Sequence, residues 1–99
     1  MKTAVVILNY NGEEMLRRFL PAVVEYTPDA DIIVADNAST DGSVALVKEC
    51  FPNVEIISLD CNYGFADGYN RALESVDADY VLLLNSDVEV TPGWLDPLV

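Results

Sequence analysis

The sequence predicts an α/β fold: a mostly parallel sheet of four strands, with helices on both faces. Three observations lead there. Four largely apolar runs, Thr3 to Leu8, Asp31 to Ala35, Val54 to Leu59 and Tyr80 to Leu84, are of strand length, and the first and last lack the polar alternation of a half-exposed strand. Between them apolar residues recur at helical spacing. Each run ends in a loop rich in Asn, Asp and Gly. Strands alternating with helices place the strands parallel, joined by right-handed crossovers.

The first strand ends at Asn9-Tyr10-Asn11-Gly12, where Asn11 is suited to cap the next helix. Met15, Leu16, Phe19, Leu20, Val23 and Val24 form that helix's apolar stripe. Pro21 lies within it and predicts a kink or two abutting segments. After the second strand comes Asp36-Asn37-Ala38-Ser39-Thr40-Asp41-Gly42. One of Ser39, Thr40 or Asp41 should cap a helix reaching about Phe51, with Val44, Val47 and Phe51 on one side and Pro52 as its stop. The third strand leads through Asp60-Cys61-Asn62-Tyr63-Gly64 into a helix that turns Phe65, Tyr69, Ala72, Leu73 and Val76 inward. The fourth, Tyr80 to Leu84, is five apolar residues long and reads as covered on both faces; Asn85-Ser86-Asp87 follows. Thr91-Pro92 resembles a helix start. A helix beginning there and cut at Val99 suggests one part of a larger domain, with an outer strand exposed where the remainder would lie.

Ninety-nine residues make one domain, and 52% of them are apolar, enough for a core. Seventeen acidic against five basic residues give a net charge of −12. So acidic a chain has no electrostatic footprint for nucleic acid. With no histidine, histidine-dependent triads and zinc sites are excluded within this chain. Cys50 and Cys61 read as reduced thiols of a cytoplasmic protein, since Ala4 to Leu8 is too short for a signal-peptide core. No run approaches the roughly 20 residues that span a bilayer. Association with the inner face of a membrane would come through regions outside these residues, and oligomerisation through the exposed sheet edge.

In a parallel sheet the four loops Asn9 to Gly12, Asp36 to Gly42, Asp60 to Gly64 and Asn85 to Asp87 reach the same edge. In the order 3-2-1-4 the winding reverses between the first and fourth strands, and a ligand is expected in that crevice. Carboxylates there suit a base or ribose and a hard cation. There is no G-x-x-x-x-G-K-[ST], and no G-x-G-x-x-G follows the first strand. A diphosphate would then need a cation to neutralise it, which favours Asp87 as a metal ligand.

Val5 to Gly12, Val34 to Ser43, Asn62 to Ala66 and Leu82 to Asp87 together resemble family 2 glycosyltransferases of the GT-A fold, closest to the rhamnosyltransferase-like branch. The resemblance runs from Thr3 to about Leu98, over the Rossmann-like, donor-binding half of that fold. It implies inverting transfer of a sugar from a nucleoside-diphosphate sugar to a glycan or lipid-linked acceptor in polysaccharide or glycoconjugate synthesis, with Mg²⁺ or Mn²⁺ on the diphosphate. By position it sets Leu8 and Tyr10 against the nucleobase, with Asn9 between them, and makes Asp36 an acceptor for the base's imide N–H. Asn85-Ser86-Asp87 stands for the family's D-x-D, with Asp87 on the metal and Asn85 near the ribose. Asn62, Gly64, Gly68 and Asn70 match the N-x-G…G-x-N segment beside the nucleotide. This sequence departs from the pattern at Asn85, in place of the first aspartate, and at Tyr69, where many relatives carry Arg. The family's general base lies in the second half of the domain, so no residue here is assigned to it.

Each assignment has a plainer counterpart. Asp36 could cap its own turn, and Asp41 reads as a helix cap before a ligand contact. Glu14 suits the first helical turn. Tyr63, Phe65 and Tyr69 read as packing, Trp94 as an anchor, and Gly64 and Gly68 as room for the chain to turn. Two other functions also fit the pattern. A receiver-like Mg²⁺-binding signalling domain would need an acidic pair after the first strand, where Asn9-Tyr10-Asn11 stands. A non-catalytic sugar-binding module would bind glycan without nucleotide.

Overall fold

The computed structural model describes residues 2–28, 30–85, 90, 93 and 94, with the backbone alone for Phe65 and Asn85. The elements run β1 (Thr3–Asn9), α1 (Glu13–Glu25), β2 (Asp31–Asp36), α2 (Ser43–Cys50), β3 (Glu55–Ser58), α3 (Gly64–Leu73) and β4 (Tyr80–Asn85). The sheet order is β3-β2-β1-β4, every pairing parallel, as the sequence predicts.

Period-two alternation divides the core. Val5 and Ile7 of β1 and Ile32 and Val34 of β2 face α1 and α2, meeting Leu16, Leu20, Val23, Leu46 and Val47. Ala4 and Val6 with Ile33 and Ala35 face α3, meeting Tyr69 and Ala72. Each large aliphatic side chain so removed from water stabilises by about 1.5–3 kcal/mol. Trp94 packs on the first of these cores, its Nε1–H donating to Thr27 Oγ1 at 3.0 Å.

Four expectations are corrected. Helix α1 runs through Pro21 as one element rather than as two abutting segments, and the ring is exposed, so the Arg17 carbonyl that loses its partner can turn to water. Asn11 does not cap α1. It adopts φ 50° and its Oδ1 accepts from the amides of Thr40 and Asp41. Strand β3 is shorter than Val54 to Leu59, because the Val54 amide closes a turn onto Phe51 O. Strand β4 is covered on one face only. Leu82 and Leu84 pack into the first core, while Val81 and Leu83 are 38% and 49% exposed. The reason is position: β4 is outermost and α3 lies over β1 and β2. The helix start at Thr91-Pro92 lies outside the described residues.

Candidate functional site

The carboxyl ends of β1, β2 and β3 deliver their loops to one edge of the sheet, where side chains stitch them together. The Asn37 amide donates to Asn9 O at 2.8 Å and the Leu59 amide to Asp36 O at 2.8 Å, so the ladder continues into the loops. The Asp36 carboxylate is buried, and Asn9 Nδ2 and Ser39 Oγ donate to its Oδ1 at 2.9 and 2.6 Å. The Ser39 amide donates to its Oδ2 at 3.0 Å. The turn-capping reading of Asp36 is therefore realised, yet Oδ2 keeps acceptor capacity for one further N–H. Ser39 Oγ also accepts from the Asn11 amide at 2.9 Å, fastening the β1 loop to the β2 loop. Asn9 is buried, and its Oδ1 is a buried acceptor with no partner among the described residues.

Asp41 and Glu13 cap each other's helices. Asp41 Oδ2 accepts from the Glu13 amide at 3.1 Å and Oδ1 from the Ser43 amide at 3.0 Å and the Ser43 hydroxyl. Glu13 Oε1 accepts from the Gly42 amide at 2.8 Å. Burial pushes the Asp41 carboxyl up, but hydrogen bonds from Ser43 and Glu13 outweigh it and hold the pKa below the ordinary 3.8. Asp41 is the helix cap expected of it, and it serves two helices.

Between β1 and β4, where the winding reverses, Tyr69 of α3 reaches the sheet. Its hydroxyl donates to Leu84 O at 2.8 Å and accepts a long bond from the Leu8 amide at 3.5 Å. It packs as predicted, but also bridges two strands. Leu8 is half-buried on the same face as Tyr69 and Gly68, whereas Tyr10 is 49% exposed at the tip of the first loop. A Cβ on buried Gly68 would meet Asn37 Nδ2 at 3.0 Å and Leu8 Cδ1 at 3.1 Å, so its glycine is needed for close approach. Gly64 takes φ 79° at the start of α3 with open space around it. Asn62 and Asn70 are exposed, and Asn62 Oδ1 accepts from the Gly64 amide at 2.8 Å. Beyond this loop, Arg71 stacks on the Tyr63 ring at 4.2 Å, and the Tyr63 hydroxyl donates to Asp60. That bond holds the Asp60 carboxyl below its usual range and pushes the Tyr63 phenol up.

The backbone of Asn85 pairs beside Leu8, on the same edge. Its side chain and Asp87, to which the ribose and metal contacts are assigned, lie outside the described residues. Among the described residues no three acidic or thiol side chains gather as a metal site. A cation shared between one carboxylate and a diphosphate does not require such a group. Cys50 and Cys61 are exposed free thiols. No helix among the described residues is long and apolar enough to cross a membrane. Composition could not single out Asn37 or Ser39, since Asn recurs through these loops and Ser39 is one of several polar residues in its own; their partners are set by the packing of β2 against β1 and α3.

A sequence model described as glycosyl transferase family 2 matches residues 4–99. The chain is 31% identical to the N-acetylglucosaminyl-diphospho-decaprenol L-rhamnosyltransferase of Mycobacterium tuberculosis, over 96% of this chain and 35% of the relative. It is 33% identical to the teichoic acid poly(glycerol phosphate) polymerase of Staphylococcus epidermidis, over 90% of this chain and 13% of the relative. It thus spans about a third of the first relative's length and less of the second's. Among solved structures, S. aureus TarS 1–349 in complex with UDP-GlcNAc superposes with a TM-score of 0.85 at 24% identity, covering 99% of this chain and 30% of that 1–349 chain. A mannosyltransferase from Pyrobaculum calidifontis in complex with GDP-Man and Mn²⁺ gives 0.79 at 22% identity, covering 95% and 32%. At these identities the two structures establish a shared fold.

Proposed function

Because the chain belongs to glycosyl transferase family 2, we propose that it is the donor-binding part of an inverting enzyme that moves a sugar from a nucleoside-diphosphate sugar to an acceptor hydroxyl of a glycan or lipid-linked substrate. The observation that carries this reading is the stitched edge itself. Loops after β1, β2 and β3 form one polar rim beside the point of reversed winding, with a rigidly held carboxylate, Asp36, within it. The relatives' names, which speak of sugar and lipid-linked substrates, support the choice of substrate class.

In the reaction the acceptor oxygen attacks the anomeric carbon opposite the diphosphate. The new C–O bond forms as the bond to the leaving phosphate breaks, and the hydroxyl proton passes to a base that we assign to none of these 99 residues. Leu8 and Tyr10 flank the nucleobase, and Asp36 Oδ2 accepts its imide N–H. Asn62, Gly64 and Asn70 border the nucleotide, Gly68 backs Leu8, and Asn85 meets the ribose. Asp87 would hold Mg²⁺ or Mn²⁺, whose charge when bound offsets that developing on the leaving diphosphate. Carboxylate oxygen is the donor such hard cations prefer. We place the protein in the cytoplasm, where its two exposed thiols stay reduced.

Titration calorimetry with UDP, dTDP and GDP, with and without Mn²⁺, tests this. One nucleoside diphosphate should bind, more tightly with metal, and Asp87→Ala should remove the gain from metal while leaving the melting temperature of the free protein unchanged. Absence of binding by all three with Mn²⁺ present would defeat the reading.

A further inference from the structure

We propose that Asn37 is a positioning residue that clamps the Asn62–Gly64 loop onto the end of β2, so that nucleotide affinity depends on a side chain that itself touches no nucleotide. The inference rests on the donor-site reading above and adds to it a residue with no role there. Asn37 is 2% exposed. Its Nδ2 donates to Asn62 Oδ1 at 2.9 Å and to Gly64 O at 3.0 Å, while its Oδ1 accepts the Tyr63 amide at 2.9 Å. Both N–H donors are used within the protein, and the carbonyl is turned to the same loop. No donor is left over for a ligand.

The three partners are consecutive residues of a loop that is otherwise exposed at Asn62 and Gly64. On the other side Asn37 is fixed by its own amide, bonded to Asn9 O. Gly68 leaves room for the Asn37 amide group, since a Cβ there would approach Nδ2 to 3.0 Å. One side chain therefore ties the exit of β3 to the exits of β2 and β1. A loop held before the ligand arrives loses less freedom on binding, and affinity rises accordingly.

Asn37→Asp tests this with almost no change of volume. It keeps an acceptor for the Tyr63 amide but turns an oxygen toward Asn62 Oδ1 and Gly64 O, which repels the loop. Asn37→Ala releases the loop without repulsion. At a temperature where unaltered and altered chains are fully folded by circular dichroism, the Kd for the nucleoside diphosphate with Mn²⁺ should rise at least tenfold in both variants. Amide exchange of Tyr63 and Gly64 should quicken in the free variants while β1 and β2 amides stay protected. A merely structural role would lower the melting temperature and leave Kd unchanged. That result, with the unaltered chain still binding, overturns the proposal alone. If the unaltered chain binds no nucleoside diphosphate, the donor-site reading falls and takes the proposal with it. Should neither variant fold, exchange in the unaltered chain decides: the Tyr63 amide, which donates to Asn37 Oδ1, must be protected before any nucleotide is added, and exchange as fast as that of an unstructured chain overturns the clamp.

Discussion

Asp41 accepts hydrogen bonds from Ser43 and Glu13, at the starts of two helices, and this gives it a stake in stability that varies with pH. Its folded pKa lies below the ordinary 3.8, so its contribution is complete above that pH and is lost as pH falls through the depressed value. Asp41→Asn should lower the urea midpoint at pH 7. The gap from the unaltered protein should narrow as pH falls below 3.8, whereas a gap that does not change with pH would show the effect to be steric. Ala38 is a second residue-scale case, held at φ 62° between Asn37 and Ser39. A left-handed L-residue carries roughly 1–2 kcal/mol of strain, partly offset in a glycine variant by the freer unfolded chain, so Ala38→Gly should be neutral to about 1 kcal/mol stabilising in urea unfolding. The types of residue in this loop were readable beforehand, and so was the capping role of Asp41. That Asn11 serves the β2 loop rather than its own helix was not, because the capping rule is local and the Thr40 and Asp41 amides lie 29 and 30 residues away.

Among the elements, α1 and β4 show where local rules give way. Most of the apolar stripe of α1 was legible: Leu16, Leu20 and Val23 are its buried face, whereas Met15, read as part of the stripe, is 40% exposed. Pro21 did not break it, since tertiary burial of that stripe outweighs one missing hydrogen bond on the wet side. Pro21→Ala restores the Arg17 carbonyl's partner and should stabilise by about 1–3 kcal/mol in chemical denaturation, the penalty of an exposed helix-interior proline. Strand β4 was legible as a strand from five apolar residues, but not as half-exposed. Which of its faces α3 reaches depends on where that helix crosses the sheet. Leu16→Ala, at 1% exposure, should cost about 2–5 kcal/mol, and Leu83→Lys, at 49%, no more than about 0.5 kcal/mol. Equal losses at the two sites would mean that β4 is covered in solution.

Over the whole molecule, a charge of −12 on 99 residues opposes compactness. The ion pairs among the described residues, Lys2 with Asp31 at 3.8 Å and Arg17 with Glu13 at 3.1 Å, are largely exposed and offset little of it. Raising NaCl from about 0.01 to 0.5 M shortens the screening length several-fold, so the melting temperature should climb with salt; a flat response would mean that the acids are too dispersed to repel. The order of runs and stripes determined an α/β fold with parallel strands, because hydrophobic period and crossover handedness leave few alternatives, while the strand order 3-2-1-4 came with the family resemblance. It also determined that Asp36 and the loops after β1 and β3 share an edge, since every parallel strand exits the same way. Tertiary structure alone decided that Asn9, Asn37, Ser39 and Tyr69 tie those exits together. Such bonds join residues far apart in the chain, and their geometry is fixed only once strands and helices have packed.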